Sequence, residues 1–277
     1  MPKRLPPILT AYTAKKLLDG KNEVSLDMGL TTTKIKRTKN AIMFPFGENI
    51  DYGSLEKIAE KENAAYFVSG ENVYQVATSG KHFYKLVPTP GAPTLEIDGI
   101  RMHRTKDTTP DVDAREKLSI LGLDGGYVLD TCMGLGYTAA EARRKGAEKV
   151  VTVELEPSVV HISALNPWSR DVFEDPDIHK ILGDSFTLVG CLPAGFFDYV
   201  IHDPPRHGHA GRLYGSEFYH RLFDVLRQGG RLFHYTGEPR SRYRGVSLQR
   251  GVSRRLRAAG FREVEYHPKV TGVTASR

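Results

Sequence analysis

With 277 residues, 40% of them hydrophobic and 26% charged, the chain has the size and balance of one large globular domain plus a smaller one, and no apolar run approaches the roughly 20 residues of a bilayer span. Two cysteines, Cys132 and Cys191, suit neither a disulfide framework nor a close metal-ligand pair, and the start MPKRLPPILTAYTAKKLL lacks the apolar stretch and cleavage site of a secretion signal, so the expected compartment is the cytoplasm. The net charge of +6 favours a polyanionic partner: residues 238–262 hold eight arginines against one acid, Glu238, and Lys34, Lys36, Arg37 and Lys39 form a second basic run.

In chain order, helices are predicted at 10–19 and 53–62, and short alternating runs predict strands at 23–28, 31–38, 64–69, 72–77, 81–87 and 94–104. This is a small α+β domain over residues 1–105. A polar connection, TKDTTPDVD, leads into a helix that runs to about residue 121, with Asp111 or Asp113 as its cap. From there the order turns to strand, helix, strand, which implies a parallel sheet with helices on both faces over residues 106–277. Strands are predicted at 127–131, 149–154, 179–183, 197–203 and 230–235, and helices at 137–145, 157–165, 215–228 and 248–259. The tail after Gly260 offers two more strands, an antiparallel pair that is not the usual ending of a dinucleotide-binding fold.

VLDTCMGLG at 128–136 is a buried strand ending in an acid, then a loop whose Gly134 and Gly136 let backbone approach a ligand. GLGYTA also satisfies the dinucleotide fingerprint, with Glu154 at the distance of a ribose-binding acid. In a dinucleotide site, however, the glycines follow the strand almost at once, whereas three residues intervene here after Asp130. Further on, HDPPR ends the fourth strand of the sheet. Asp203 is followed by Pro204 and Pro205, which cannot continue a central strand, so the chain leaves the sheet at the carboxyl edge where ligands of open α/β folds bind.

With these motifs, residues from about 110 onward resemble the class I S-adenosylmethionine-dependent methyltransferases, whose fold is a Rossmann-like seven-stranded sheet. By that resemblance Asp130, Gly134 and Gly136 line the methionine end of the cofactor S-adenosylmethionine, Glu154 takes the ribose hydroxyls, and Asp184 with Ser185 meets the adenine. Cys132 departs from the pattern, standing where many members have a first glycine. HDPPR resembles the D/N/S-P-P-aromatic motif of enzymes that methylate planar amines, nucleobase amino groups among them. The implied catalytic set is Asp203, Pro204, Pro205 and Arg206, with arginine in place of the usual aromatic. The run IHDPPRHGHAGRLYGSEFYHRL, with LNPWSR and GGRLFHYTG, is similar to a group of archaeal-type methyltransferases that share DPPR.

The expectation is therefore an enzyme that methylates an exocyclic base amine in RNA, the 4-amino group of a ribosomal cytidine foremost, with RNA as partner, no metal, and the N-terminal domain selecting substrate. His202, His207 and His209 crowd one loop without a fourth zinc ligand at suitable spacing. Tyr214, Phe218 and Tyr235 are candidates to stack on a flipped base, and Trp168 and Arg104 are candidate substrate contacts. Three rivals remain: an aminopropyl transferase using decarboxylated S-adenosylmethionine, which calls for several acids around the amine; a protein amide or amine methyltransferase; and a non-catalytic RNA-binding factor.

Overall fold

The computed structural model describes residues 5–205, 211–237 and 248–277. They form two compact units, Met1–Asp111 with Ser158–Glu174, and Val112–Pro157 with Asp175–Arg277.

The first unit is built on small antiparallel sheets. Ile8–Thr10 pairs with Ala65–Ser69, which pairs with Asn72–Gln75. A four-stranded meander joins Ala77–Ser79, Phe83–Val87, Thr94–Ile97 and Ile100–Arg101. Helices Ala11–Leu18 and Tyr52–Ala59 start where Thr10 and Asp51 accept the N–H groups of Thr13 and Ser54. Their apolar faces supply Ala14, Leu17, Leu55 and Ile58 to a core shared with Leu9, Ile42, Ile50 and Val68.

Three predicted strands differ here. Residues 23–28 and 31–38 meet each other as Glu23–Val24 with Thr33–Lys34, because Asp27 accepts the N–H and hydroxyl of Thr31 while Met28 and Gly29 take positive φ, closing a turn between them; Lys36–Arg37 pairs instead with Ala41–Met43. The run 94–104 folds back at Asp98–Gly99, two successive positive-φ residues suited to a tight hairpin. Arg37, assigned by sequence to a basic run, is spent structurally on the carbonyls of Leu17 and Lys21 and on Asn22 Oδ1. Helix Pro157–Leu165 and the turn Pro167–Ser169 belong to this unit, where the Trp168 indole N–H donates to the Met28 carbonyl at 3.1 Å.

The second unit holds a seven-stranded sheet. We number its strands β1 Tyr127–Asp130, β2 Lys149–Glu154, β3 Ile178–Leu182, β4 Phe197–His202, β5 Leu226–Tyr235, β6 Arg262–His267 and β7 Gly272–Ser276. The order across the sheet is β3-β2-β1-β4-β5-β7-β6. The first five strands are parallel and β7 is antiparallel to both neighbours. The fold is thus mixed α/β around a mostly parallel sheet. VVTV and DYVI are near-continuous apolar runs because both faces of the parallel strands are covered. The core collects Leu129, Val153, Phe197, Val200 and Leu232 from the strands, with Phe218, Leu222, Val252 and Leu256 from helices Ser216–Val225 and Leu248–Ala258.

Helix α1, Pro110–Leu121, opens on the proline itself, so Asp111 and Asp113 lie inside its first turn rather than at its cap. Asp111 instead accepts the Thr109 hydroxyl at 2.6 Å and the Ala92 N–H at 3.1 Å. Helix α2, Tyr137–Arg144, begins after Gly136 in the left-handed region with no side-chain cap.

Candidate active site

The carboxyl ends of β1, β2 and β4 bring Asp130, Glu154 and Asp203 to one edge of the sheet. Because β1 lies between β2 and β4, Asp130 is central; in the ladders it stands beside Thr152 and Ile201. Its carboxylate is fully buried, and Oδ2 accepts the hydroxyls of Thr152 at 2.8 Å and Thr138 at 3.3 Å. Oδ1 has no partner among the described residues. Burial, aided by the charge of Asp203 and only partly offset by these hydrogen bonds, pushes the Asp130 carboxyl up to about 7.

The loop after β1 is strapped over the neighbouring strands. Thr131 N–H donates to the Ile201 carbonyl and Met133 N–H to the Val153 carbonyl. Gly134, at φ +54°, turns its N–H to Glu154 Oε2 at 2.9 Å, and Glu156 N–H meets Oε1 at 3.0 Å. Each oxygen of Glu154 thus holds one backbone donor and retains a second lone pair. Burial raises its pKa against those donors. Cys132 lies in the same loop, where burial and the nearby acids push its thiol up.

Asp184 caps the short helix Ser185–Val189, accepting the Phe186 N–H at 3.0 Å and the Thr187 hydroxyl at 3.1 Å. Ser185 donates its hydroxyl to the Thr131 carbonyl. Phe186 is buried, stacked on Phe218 and covered by the guanidinium groups of Arg212 and Arg221. Sequence reasoning missed two exposed apolar side chains at this edge: Leu155, directly after Glu154, and Leu182, which stands beside Glu154 in the β2–β3 register. Their position at strand ends was the available signal.

At the end of β4, Asp203 Oδ2 accepts from Lys117 Nζ at 2.6 Å, and the same ammonium lies 2.7 Å from Asp113 Oδ2 and 4.5 Å from the centre of the Tyr235 ring. Asp113 and Lys117 are one turn apart on α1, an i, i+4 spacing visible in the sequence. Burial works against the Lys117 charge, but Asp203 and Asp113 outweigh it and hold its pKa above that of an ordinary lysine. Withdrawal from water raises the Asp203 carboxyl, opposed by Lys117.

Pro204 is buried, and the Pro205 carbonyl accepts from the Tyr214 hydroxyl at 3.2 Å. Arg206, His207 and His209 lie outside the described residues, as do Arg240, Arg242 and Arg244. Of the arginines that follow, Arg255 packs over the Tyr219 ring and Arg257 donates to the Val264 carbonyl.

His202 faces inward: the Leu213 carbonyl can only accept, so Nε2 carries the proton, and Nδ1 accepts the Thr131 hydroxyl at 2.7 Å. Burial pulls its pKa down to about 3. Tyr214 and Phe218, expected to stack on a base, are buried beside this ring.

The spermine/spermidine synthase domain profile matches residues 102–255, more than half of the chain. The chain belongs to the spermine/spermidine synthase domain family. An uncharacterized protein of Methanocaldococcus jannaschii is 45% identical, covering 96% of this chain and 94% of its own length. A polyamine aminopropyltransferase of Aeropyrum pernix is 34% identical over 35% of this chain, and one of Mycobacterium tuberculosis 31% over 55%. Those two matches span only 33% and 28% of the relatives' lengths. In fold, the chain resembles a spermidine synthase solved with the transition state analogue AdoDATO, at TM-score 0.59 and 18% identity over 72% of this chain and 71% of that one. It also resembles the spermidine synthase of Thermotoga maritima, at TM-score 0.56 and 18% identity over 72% and 70%.

Membership in the spermine/spermidine synthase domain family overturns the identification as an S-adenosylmethionine-dependent amino-methyltransferase, and with it RNA base methylation and rRNA processing. S-adenosylmethionine is likewise corrected as the expected cofactor, since spermidine synthases use its decarboxylated form as aminopropyl donor. The physical reason for the error is that acids at the ends of β1 and β2 and a glycine loop are features of the fold's ligand-binding edge rather than of one reaction. They are silent on which carbon of the sulfonium is transferred. Two acids do stand together there, since Asp203 and Asp113 both meet Lys117, and His202 is an interior ring.

Proposed function

We propose that this chain is an aminopropyltransferase of the spermidine synthase type, moving the aminopropyl group of decarboxylated S-adenosylmethionine onto an amine. Family membership supports the reaction class, and the observation that carries the donor assignment is the buried, unpartnered Asp130 Oδ1. A methionine end is zwitterionic, whereas its decarboxylated counterpart is a simple cation. A buried carboxylate with a free lone pair favours the cation, which also supplies the missing partner. Glu154 is suited to the ribose, and Leu155 and Leu182 offer apolar surface to the adenine. The edge at Asp203, whose side chain is 20% exposed, is left to the acceptor.

In the reaction a neutral amine nitrogen forms a bond to the aminopropyl carbon attached to sulfur. The carbon–sulfur bond breaks, its electron pair stays on sulfur to give methylthioadenosine, and the nitrogen sheds a proton. Asp203 is the group placed to take that proton, and its raised pKa suits the task. With decarboxylated S-adenosylmethionine and a panel of amines, methylthioadenosine and an aminopropylated amine are expected by mass spectrometry. Asp203→Asn should lower kcat by about 100-fold or more. Absence of methylthioadenosine with every amine would sink the proposal.

A further inference from the structure

The ammonium of Lys117 occupies a complete receptor. Two carboxylates converge on it, Asp113 at 2.7 Å and Asp203 at 2.6 Å, the Tyr235 ring lies 4.5 Å away, and the lysine side chain is only 6% exposed. Paired carboxylates against an aromatic ring are what an alkylammonium ligand requires. Here the occupant is tethered to the enzyme, so a free amine must compete with an intramolecular partner at high effective concentration. With the carboxylates of Asp113 and Asp203 ionised, the cluster carries one net negative charge, not two. Asp203 Oδ1 bonds to no described residue and remains for one acceptor nitrogen.

We propose that Lys117 sets the acceptor class: the acceptor presents one amine to Asp203 and carries no second ammonium, because the enzyme's own side chain fills the receptor for it. This rests on the aminopropyltransferase reading. Lys117 is here a specificity-determining residue rather than a catalytic one, since it acts through Asp203.

The test compares wild type and Lys117→Ala with decarboxylated S-adenosylmethionine and two matched acceptors, butylamine and diaminobutane. Methylthioadenosine release gives kcat and KM, and calorimetry gives amine affinity separately. Wild type should use the monoamine at least as well as the diamine. In the variant the KM and Kd for the diamine should fall at least about tenfold relative to those for the monoamine, because the vacated receptor takes the second ammonium. If Asp113 and Asp203 left facing each other prevent folding, the double variant Asp113→Asn with Lys117→Ala relieves the repulsion and keeps Asp203 and Tyr235 for the same comparison. A wild type that prefers the diamine tenfold, or a diamine-to-monoamine ratio unmoved by the substitutions, overturns the inference while transfer itself persists. Loss of all transfer in wild type would overturn the underlying reading, a distinct result.

Discussion

Asp130 and His202 lie one strand apart and respond to pH in opposite directions. Unfolded, an aspartate loses its proton at about pH 4; folded, Asp130 keeps it up to about 7. Across that window the folded state binds the extra proton, so stability falls as pH rises, and the loss is complete above 7. His202 is the inverse. An unfolded histidine takes a proton near pH 6.5, whereas the buried ring stays neutral down to about 3, so its contribution is lost as pH falls through that interval. Asp130→Asn should therefore raise the thermal midpoint by several degrees at pH 8 and leave it nearly unchanged at pH 3.5, measured by calorimetry, while weakening donor binding. An equal gain at both pH values would mean that the carboxylate charge is not the cause. A site acid that costs stability is expected where a cationic ligand completes its pairing.

Among the elements, β7 controls the site from a distance. Gly272 stands opposite Tyr235 in the β5–β7 ladder, and a Cβ there would fall on the Phe233 ring and within 3.2 Å of the His234 carbonyl. Gly272→Ala should cost about 1–3 kcal/mol in urea unfolding, as overpacking does. It should also shift kcat, since displacing β5 moves the Tyr235 ring beside Lys117. A stable variant with reduced kcat would show positioning; a destabilised variant with normal kcat would restrict Gly272 to packing. Nothing around Gly272 in the sequence announced this, because the constraint comes from a strand some forty residues earlier. By contrast, the Asp98–Gly99 hairpin turn was legible as a dipeptide, and reading 94–104 as one strand let its alternation mask the turn.

At the scale of the whole molecule, β6 and β7 close one side of the sheet. A chain cut after Gly260 would leave the ten-residue β5 as a bare edge and remove Phe261, Val273 and Ala275 from the core. It is expected to elute as aggregate in size-exclusion chromatography; a monomeric, folded product would show that the first five strands suffice. No helix among the described residues is long and apolar enough to cross a membrane. The parallel order and the strand-end acids were readable in the sequence, because a buried strand ending in an acid, followed by a glycine loop, is a local pattern. The antiparallel final pair was readable because two strand-forming runs follow Gly260 too close together for a parallel crossover.

The reaction class was not local. The sequence determined that Asp130, Gly134, Gly136 and Glu154 gather at the carboxyl edge of the sheet, since each sits within a short motif. Only the tertiary structure brought Asp113 and Lys117 of α1 to Asp203, eighty-six residues beyond that lysine, and aligned Tyr235 beside them. It also turned His202 into the core. Charge near an acid depends on what packs there in three dimensions, and the neighbours of Asp203 along the chain are not its neighbours in space.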